Sequence, residues 1–287
     1  MDAVVLKNGL WQAKIQPDYG MNLFSVQYDG REIMRPCEGR QMLESRKHLY
    51  GFPLIMPANR TKDGRFTFRG KEYSLPVNEV ARGNNLHGRM ADVPFAVVEQ
   101  TNERLVGRFE NRGERYPFAF DMTIEVEVQQ DCVCQTMRIK ALEDMPYTFG
   151  LHATFARPQK YDVPRGRQCV WDAEHFIPTG EWIDPPLPLG ETFDTCFAMP
   201  DTAVCGAQEK ISGCFAMSGR TALLDDVVFT VSDNFDHWVM YNGDGKQDFL
   251  CVEPQSGQVN GLNIPGGHRV LAAGEEDTFW FTLTLQK

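Results

Sequence analysis

The sequence predicts an all-β fold on the basis of three observations. Residues 122–129 alternate between apolar and polar side chains, which is the period-two pattern of a half-buried strand. The 25 glycines and 17 prolines are dispersed between such runs, as expected for a chain with many turns. Only residues 40–49 offer a helix-like segment, and its apolar positions are few: Met42, Leu43 and Leu49.

The same alternation predicts strands in every third of the chain. It covers, in addition to residues 122–128, residues 95–98, 137–141, 227–231, 249–252 and 279–285. Gln130-Asp131 can turn the chain between two of these strands, and a turn is also expected at residues 242–246. The pattern indicates a two-layered antiparallel sheet.

A hairpin is predicted around Gly70-Lys71, which suits a two-residue turn with glycine at its first position. Apolar residues alternate with polar ones on both sides of this turn: Phe66, Phe68, Tyr73 and Leu75.

The length and charge of the chain limit its domain organisation and its partners. At 287 residues and 32.6 kDa it is longer than a typical domain, but β-sandwiches and barrels commonly reach this size. No boundary divides it into two cores, so we predict one domain over residues 1–287. The formal net charge is −10, the pI is about 5.1, and no basic run interrupts this balance. Nucleic acid and anionic membranes are therefore not expected as partners.

The sequence contains no sign of export or membrane insertion. Residues 1–7 lack a basic segment followed by a long apolar stretch, and no window approaches the roughly 18 apolar residues of a membrane span. The eight cysteines have no repeating spacing, which favours free thiols in a reducing compartment. We therefore expect a cytoplasmic protein.

Polar side chains flank the predicted hairpin and indicate a small-molecule pocket. Asn59-Arg60 precedes the hairpin, and His87 follows it in a polar turn. Arginine offers a planar fork of donors that can hold two vicinal hydroxyls or a carboxylate, and histidine can donate or accept near neutral pH. These residue types suit the binding of a sugar.

Four segments in a fixed order carry a resemblance to a known family. They are residues 57–88, with Pro57-Ala58-Asn59-Arg60, the hairpin and Asn84-Asn85-Leu86-His87-Gly88; Gly150-Leu151-His152-Ala153-Thr154-Phe155; Asp194-Thr195-Cys196-Phe197; and Cys251-Val252-Glu253-Pro254 with Gly261-Leu262-Asn263. Together they resemble the aldose 1-epimerase (mutarotase) family over residues 50–263. The chain departs from the family at Ala153-Thr154, where an aromatic residue commonly precedes the phenylalanine.

The resemblance implies a large, super-twisted antiparallel β-sandwich of the galactose mutarotase type with an open sugar cleft. It also implies interconversion of the α and β anomers of a hexose or related sugar, with no metal and no cofactor. Ring opening needs a base that removes the C1 hydroxyl proton and an acid that protonates the ring oxygen. A carboxylate and a histidine suit these two roles.

The resemblance also implies the residues of the site. Glu253 is the implied base; it precedes Pro254, so we expect its strand to end there and its side chain to face the cleft. His152 is the implied acid, a role that needs an imidazolium and is favoured by a nearby carboxylate. His87 is implied to stabilise developing charge or to bind a hydroxyl. The remaining implied hydroxyl ligands are Asn59, Arg60 and Asp194.

Two alternatives stay open at the level of sequence. A hexose 6-phosphate 1-epimerase of the same fold would need a cluster of arginines, and Arg82 and Arg89 lie near His87, although the acidic composition argues mildly against it. A non-catalytic carbohydrate-binding protein would not need both Glu253 and His152. The sequence is compatible with a monomer or a homodimer.

Several other residues are interpreted as structural. Trp238 is expected in the core, and Cys132 and Cys134 are expected to pack side by side on one strand face. The histidines that match no motif are assigned to the surface or to structural roles: His48, His175, His237 and His268.

Overall fold

A computed structural model describes residues 2–184 and 210–286. The strands of the first half are β1 (Val4–Asn8), β2 (Trp11–Gln16), β3 (Asn22–Tyr28), β4 (Arg31–Glu32), β5 (Leu54–Ile55), β6 (Arg60–Lys62), β7 (Arg65–Phe68), β8 (Lys71–Ser74), β9 (Asn84–Leu86), β10 (Ala96–Gln100), β11 (Arg104–Asn111), β12 (Phe120–Val128) and β13 (Val133–Ala141). Those of the second half are β14 (Met145–Tyr147), β15 (Gly150–Leu151), β16 (Thr154–Ala156), β17 (Tyr161–Asp162), β18 (Arg165–Trp171), β19 (Pro178–Ile183), β20 (Ser212–Met217), β21 (Thr221–Leu224), β22 (Val227–Val231), β23 (His237–Tyr241), β24 (Phe249–Gln255), β25 (Arg269–Leu271) and β26 (Glu276–Leu285).

Helical structure is short. The α-helix α1 spans Arg40–Ser45, and 3₁₀ turns span Val80–Arg82 and Gly261–Asn263. Within residues 2–184 and 210–286, no helix combines the length and apolar character required to cross a bilayer. Of the helix-like segment predicted at residues 40–49, residues 40–45 form the helix α1, and residues 46–49 lie outside it.

Two eight-stranded antiparallel sheets dominate the fold. The first has the strand order β10-β11-β12-β13-β26-β22-β21-β17. The second has the order β19-β18-β20-β23-β24-β15-β5, and β16 also pairs with β24. The segment β1–β4 forms a separate four-stranded sheet, and β7–β8 is a two-stranded hairpin.

The two large sheets pack face to face through aromatic side chains. Phe281 on β26 stacks on Phe52 at a ring-centroid distance of 4.2 Å. Phe229 on β22 lies 5.2 Å from Phe155 on β16 and 6.0 Å from Trp238 on β23. Since these residues are almost completely buried, the interface is one continuous apolar core. The predicted antiparallel β-sandwich is confirmed.

The predicted period-two strands also match the structure. On β12 the apolar positions 122, 124, 126 and 128 are buried while the polar positions between them are not. Strand β22 covers the predicted residues 227–231. Trp238 is fully buried, as expected.

The predicted hairpin forms, but its turn is shifted by one residue. Phe66 lies opposite Tyr73 and Phe68 opposite Lys71, so the two-residue loop is Arg69-Gly70 rather than Gly70-Lys71. Both loop residues have positive φ, 49° and 78°, as a type I′ turn requires. The register that stacks the Phe66 and Tyr73 rings at 5.4 Å therefore determines where the turn falls.

We expect Gly88→Ala to destabilise the fold far more than Gly70→Ala. Both glycines have positive φ, but a Cβ at Gly88 would lie 1.9 Å from the Met56 carbonyl oxygen, whereas one at Gly70 would meet nothing within 4 Å. The backbone penalty alone is about 1–2 kcal/mol, and overpacking adds about 1–3 kcal/mol at Gly88. Urea unfolding of both variants measures the difference; equal losses would contradict this account of the close contact.

Candidate active site

Strand register brings Glu253 and His152 together. Strands β15 and β16 both pair with β24, with Gly150 opposite Gln255 and Thr154 opposite Cys251. His152 lies in the gap between them and therefore faces Glu253, with His152 Nε2 at 3.3 Å from Glu253 Oε1. The expectation that the strand ends at Glu253 is wrong, because β24 continues through Pro254, which lies opposite Trp238.

A second pair of strands positions Asn59, Arg60 and His87. Arg60 on β6 lies opposite Leu86 on β9, and the backbone N–H of His87 donates to the carbonyl oxygen of Asn59 at 2.7 Å. Asn59 and His87 both have positive φ, 58° and 62°, in the left-handed region that Asn and His adopt more readily than most residues. The Asn-Arg and His-Gly motifs are thus joined by a short β-ladder.

These residues line one cavity of about 310 Å³. All five candidates within the described part of the chain line this cavity: Asn59, Arg60, His87, His152 and Glu253. The other described residues that line it are His48, Leu49, Leu86, Trp171, Ser212, Val239, Met240 and Tyr241. Its volume lies at the lower end of the roughly 300–1,000 Å³ typical of small-molecule sites. Asp194 lies outside the described residues.

Eight of these lining residues were not assigned to the site from the sequence, and two of them, His48 and Trp171, present rings to the cavity. His48, interpreted as surface or structural, lines the cavity, and its ring centroid is 4.7 Å from that of His87 and 5.9 Å from that of His152. The hydroxyl of Thr154 donates to the His48 carbonyl oxygen at 3.4 Å. Trp171, at the end of β18, supplies an aromatic wall. Neither residue belongs to a local motif, so no sequence signal marked them.

Burial determines the ionisation of the acidic and basic groups. Desolvation raises the pKa of Glu253 to about 8, although a hydrogen bond from Gln255 Nε2 at 3.1 Å and the Arg60 charge oppose this rise. Desolvation lowers the pKa of His152 to about 3, with a further contribution from His48. It likewise lowers the pKa of His48 to about 4 and that of His87 well below its usual value.

At neutral pH the Glu253–His152 pair therefore holds one proton, on the carboxyl group, and all three imidazoles are neutral. The expected imidazolium at His152 is not the resting state, because a charge on either partner would have to be placed in a desolvated cavity. Moving that one proton from Glu253 to His152 converts the neutral pair into an ion pair without any exchange with solvent. The pair thus contains one proton donor and one acceptor in both arrangements.

Arg60 is held in place by Glu79. Its Nε and Nη2 donate to the two carboxylate oxygens of Glu79, each at 2.8 Å, and Asn84 Nδ2 donates to the same carboxylate at 2.8 Å. Burial raises the pKa of Glu79, but these hydrogen bonds outweigh it, so its pKa is lowered and it is ionised. One side of the guanidinium fork is therefore occupied. Nη1, with a long contact of 3.4 Å to Asn59 Oδ1, remains for a ligand.

A thiol lies close to the acid–base pair. The donor atoms of His152, Cys251 and Glu253 are all within 4.8 Å of one another, and this combination of ligands could hold a metal ion. Cys251 is completely buried, with its Sγ at 3.5 Å from the Thr154 hydroxyl. The absence of a metal requirement stays a prediction.

Fold and site together define a class of protein: an antiparallel β-sandwich with a small cavity that combines polar ligands with a buried carboxyl–imidazole pair. The family model described as "Aldose 1-epimerase" matches residues 2–284. The chain therefore belongs to the aldose 1-epimerase family, as its motifs predict.

Individual relatives are distant in sequence but similar in fold. The "Uncharacterized protein YphB" of Escherichia coli K12 is 23% identical over 251 residues, which cover 82% of this chain and 83% of that protein. A galactose mutarotase-like protein from Clostridium acetobutylicum superimposes with a TM-score of 0.86 at 20% identity, covering 99% of this chain and 95% of the other. The galactose 1-epimerase of Lactobacillus acidophilus gives 0.78 at 16% identity, with 99% and 94% covered.

We expect the Glu253 carboxyl to titrate near pH 8 and to be neutral below that pH. Carbon-13 NMR of glutamate-labelled protein measures the midpoint, with the resonance assigned by its loss in Glu253→Gln. In Glu79→Gln the Arg60 charge is no longer neutralised, so the Glu253 midpoint should fall.

The matched control for this titration is Glu72→Gln, which removes the carboxylate that contacts the exposed Arg65 at 2.9 Å. It should leave the Glu253 midpoint unchanged. A wild-type midpoint near 4.5 would contradict the role of burial, and an unchanged midpoint in Glu79→Gln would contradict the coupling through Arg60.

Proposed function

We propose that this protein is a mutarotase that interconverts the α and β anomers of an uncharged aldose by ring opening and reclosure. The observation that carries the proposal is the Glu253–His152 contact of 3.3 Å in a cavity of monosaccharide dimensions. A buried carboxyl group beside a buried imidazole is costly for folding and is useful for proton transfer, since their pKa values are displaced in opposite directions.

The proposed reaction starts when the sugar binds with its C1 hydroxyl at Glu253 and its ring oxygen at His152. Transfer of the shared proton to His152 leaves Glu253 as a carboxylate, and the two contacts to the sugar stabilise this charged arrangement. Glu253 then takes the C1 hydroxyl proton, His152 protonates the ring oxygen, the bond from C1 to the ring oxygen breaks and the C1 carbonyl forms. Acid and base groups in such positions typically accelerate a reaction about 10²–10⁴-fold each.

Reclosure reverses every proton transfer. Rotation about the C1–C2 bond presents the other face of the aldehyde to the C5 hydroxyl, which loses its proton to His152 while Glu253 returns a proton to the C1 oxygen. The pair ends with the single proton that it held at the start, so the cycle consumes nothing. This balance is why the proposed reaction requires no cofactor.

The remaining polar groups of the cavity are proposed to bind ring hydroxyls. Asn59 and the Nη1 of Arg60, which is joined to Asn59 Oδ1 by a long contact, offer donors next to His87, whose imidazole is neutral and can donate or accept. Trp171 offers an apolar face against which a pyranose ring can pack. The guanidinium group of Arg60 lies near the same indole, 5.9 Å from the ring centroid. Asp194 is kept as a proposed hydroxyl ligand.

An uncharged sugar is favoured over a sugar phosphate. Arg60 is the cation that lines the described part of the cavity, and Glu79 already neutralises it. Arg82 stacks over Phe176 at 3.5 Å and donates to the carbonyl oxygens of residues 173 and 174, while Arg89 donates to the Glu114 carbonyl oxygen. The two arginines that supported the phosphate alternative thus have other partners and do not line the cavity.

We expect the protein to accelerate mutarotation of neutral aldoses in a test by polarimetry. Freshly dissolved single anomers of D-galactose, D-glucose, D-xylose, L-arabinose and D-glucose 6-phosphate would be followed with and without protein, with the spontaneous rate subtracted. At least one neutral sugar should relax faster, with a kcat/KM about tenfold or more above that of the 6-phosphate, since Arg60, the cation in the described lining, is already neutralised and cannot repay phosphate desolvation. Chelator should have no effect.

Three outcomes would change the proposal. Binding of sugars without any acceleration would favour the carbohydrate-binding alternative. A higher kcat/KM for the 6-phosphate would favour the phosphate alternative, and loss of activity with chelator that is restored by metal would bring the His152–Cys251–Glu253 group into the mechanism.

A further inference from the structure

His48 adds a third imidazole to the wall of the cavity, next to the two that the family motifs contain. The three rings contact one another, with centroid distances of 4.7 Å for His48 and His87, 5.0 Å for His87 and His152, and 5.9 Å for His48 and His152. His48 is brought there by the segment after α1 and not by the β6–β9 or β15–β24 ladders. Its backbone is joined to β16 by the Thr154 hydroxyl, but its side chain takes no part in the contact between Glu253 and His152.

One ring nitrogen of His48 is desolvated and lacks a partner in the described part of the chain. Its Nε2 is buried and has no hydrogen-bond partner among residues 2–184 and 210–286. A buried ring nitrogen without a partner costs about 1–3 kcal/mol. Because the His48 ring lines the cavity, a rotation of the ring that turns Nε2 toward a bound hydroxyl group would recover that cost. His48 is neutral at physiological pH, so it suits an uncharged hydroxyl group better than an anion.

The contacts of His152 indicate which hydroxyl His48 reaches. Among the described residues, His152 is the histidine that contacts the Glu253 carboxyl group, at 3.3 Å, whereas the rings of His48 and His87 contact the ring of His152. In the proposed reaction the C1 hydroxyl is at Glu253 and the ring oxygen is at His152. The atom that follows the ring oxygen on the side away from C1 is C5, which in a hexopyranose carries the hydroxymethyl group.

We infer that His48 is a specificity-determining residue that binds the C6 hydroxyl of a hexopyranose, so that the enzyme selects hexoses over the corresponding pentoses. This inference rests on the proposed function, because the orientation of the sugar is taken from the roles of Glu253 and His152. A site that hydrogen-bonds a substrate hydroxyl rejects the analogue that lacks it, since the buried polar group is then left unpaired. The pentoses D-xylose and L-arabinose are the rings of D-glucose and D-galactose without the hydroxymethyl group.

The test compares these two sugar pairs in wild type and in His48→Phe. Phenylalanine keeps a ring against His87 and removes both nitrogens. The kcat/KM for each hexose should fall about tenfold, mainly through KM, whereas that for the matching pentose should change less than about twofold. His48→Gln, which retains a donor and an acceptor, should recover part of the preference for hexose. His237→Phe, a histidine outside the cavity, is the matched control and should keep the wild-type preference.

Two kinds of result would overturn the inference. Equal losses for hexose and pentose in a folded His48→Phe protein would mean that His48 only supports its neighbours, and an unchanged hexose preference would remove it from substrate contact. If the wild type accelerates none of these sugars, the proposed function fails by itself. Calorimetric binding of each hexose and pentose to wild type and His48→Phe then tests the contact alone, and an equal affinity ratio in both proteins would overturn it.

Discussion

The desolvated contact between Glu253 and His152 is the interaction on which the site depends. It exists because two short strands, β15 and β16, pair with β24 in the same register. His152, which lies between these two strands in the chain, is therefore opposite Glu253. Every residue of β24 is buried, so the carboxyl group enters an environment that resists its ionisation. A shift of the strand by one residue would turn Glu253 to the other face, and thus the sheet register and the chemistry are determined together.

The rest of the cavity is built to hold its groups before a ligand arrives. The β6–β9 ladder and the tight approach of Gly88 to Met56 fix His87 beside Asn59, and Glu79 holds Arg60 through two hydrogen bonds. Groups that are already in position lose little conformational freedom on binding, which improves both affinity and alignment. Neutralisation of Arg60 by Glu79 also reduces the positive field at Glu253, which helps to keep its pKa high.

The sequence predicted the fold class and five of the residues that line the cavity, because both depend on local patterns. Period-two alternation marked strands such as β12 and β22, and the motifs around Arg60, His87, His152 and Glu253 marked residues that do line one cavity. Predictions that depended on pairing between strands were less successful. The hairpin turn was displaced by one residue, and the strand was expected to stop at Glu253, since neither register nor the continuation past Pro254 is encoded locally.

Two features of the site depend on tertiary structure and could not be predicted. His48 reaches the cavity through a connection that has no motif, and the neutral state of the imidazoles arises from burial by strands distant in sequence. A lone histidine in a polar segment contains no information about which residues will surround it. The protonation state of the Glu253–His152 pair is therefore a result of the fold and not of the motif.

In the proposed function, the Glu253–His152 pair moves the protons that open the sugar ring. Two-dimensional exchange NMR of a sugar labelled with carbon-13 at C1 detects conversion between anomers at equilibrium, without any net reaction. We expect exchange proportional to the wild-type concentration, and a loss of about 10²–10⁴-fold in folded Glu253→Gln or His152→Asn, with little further loss when both are combined. Exchange at the wild-type rate in Glu253→Gln would contradict it.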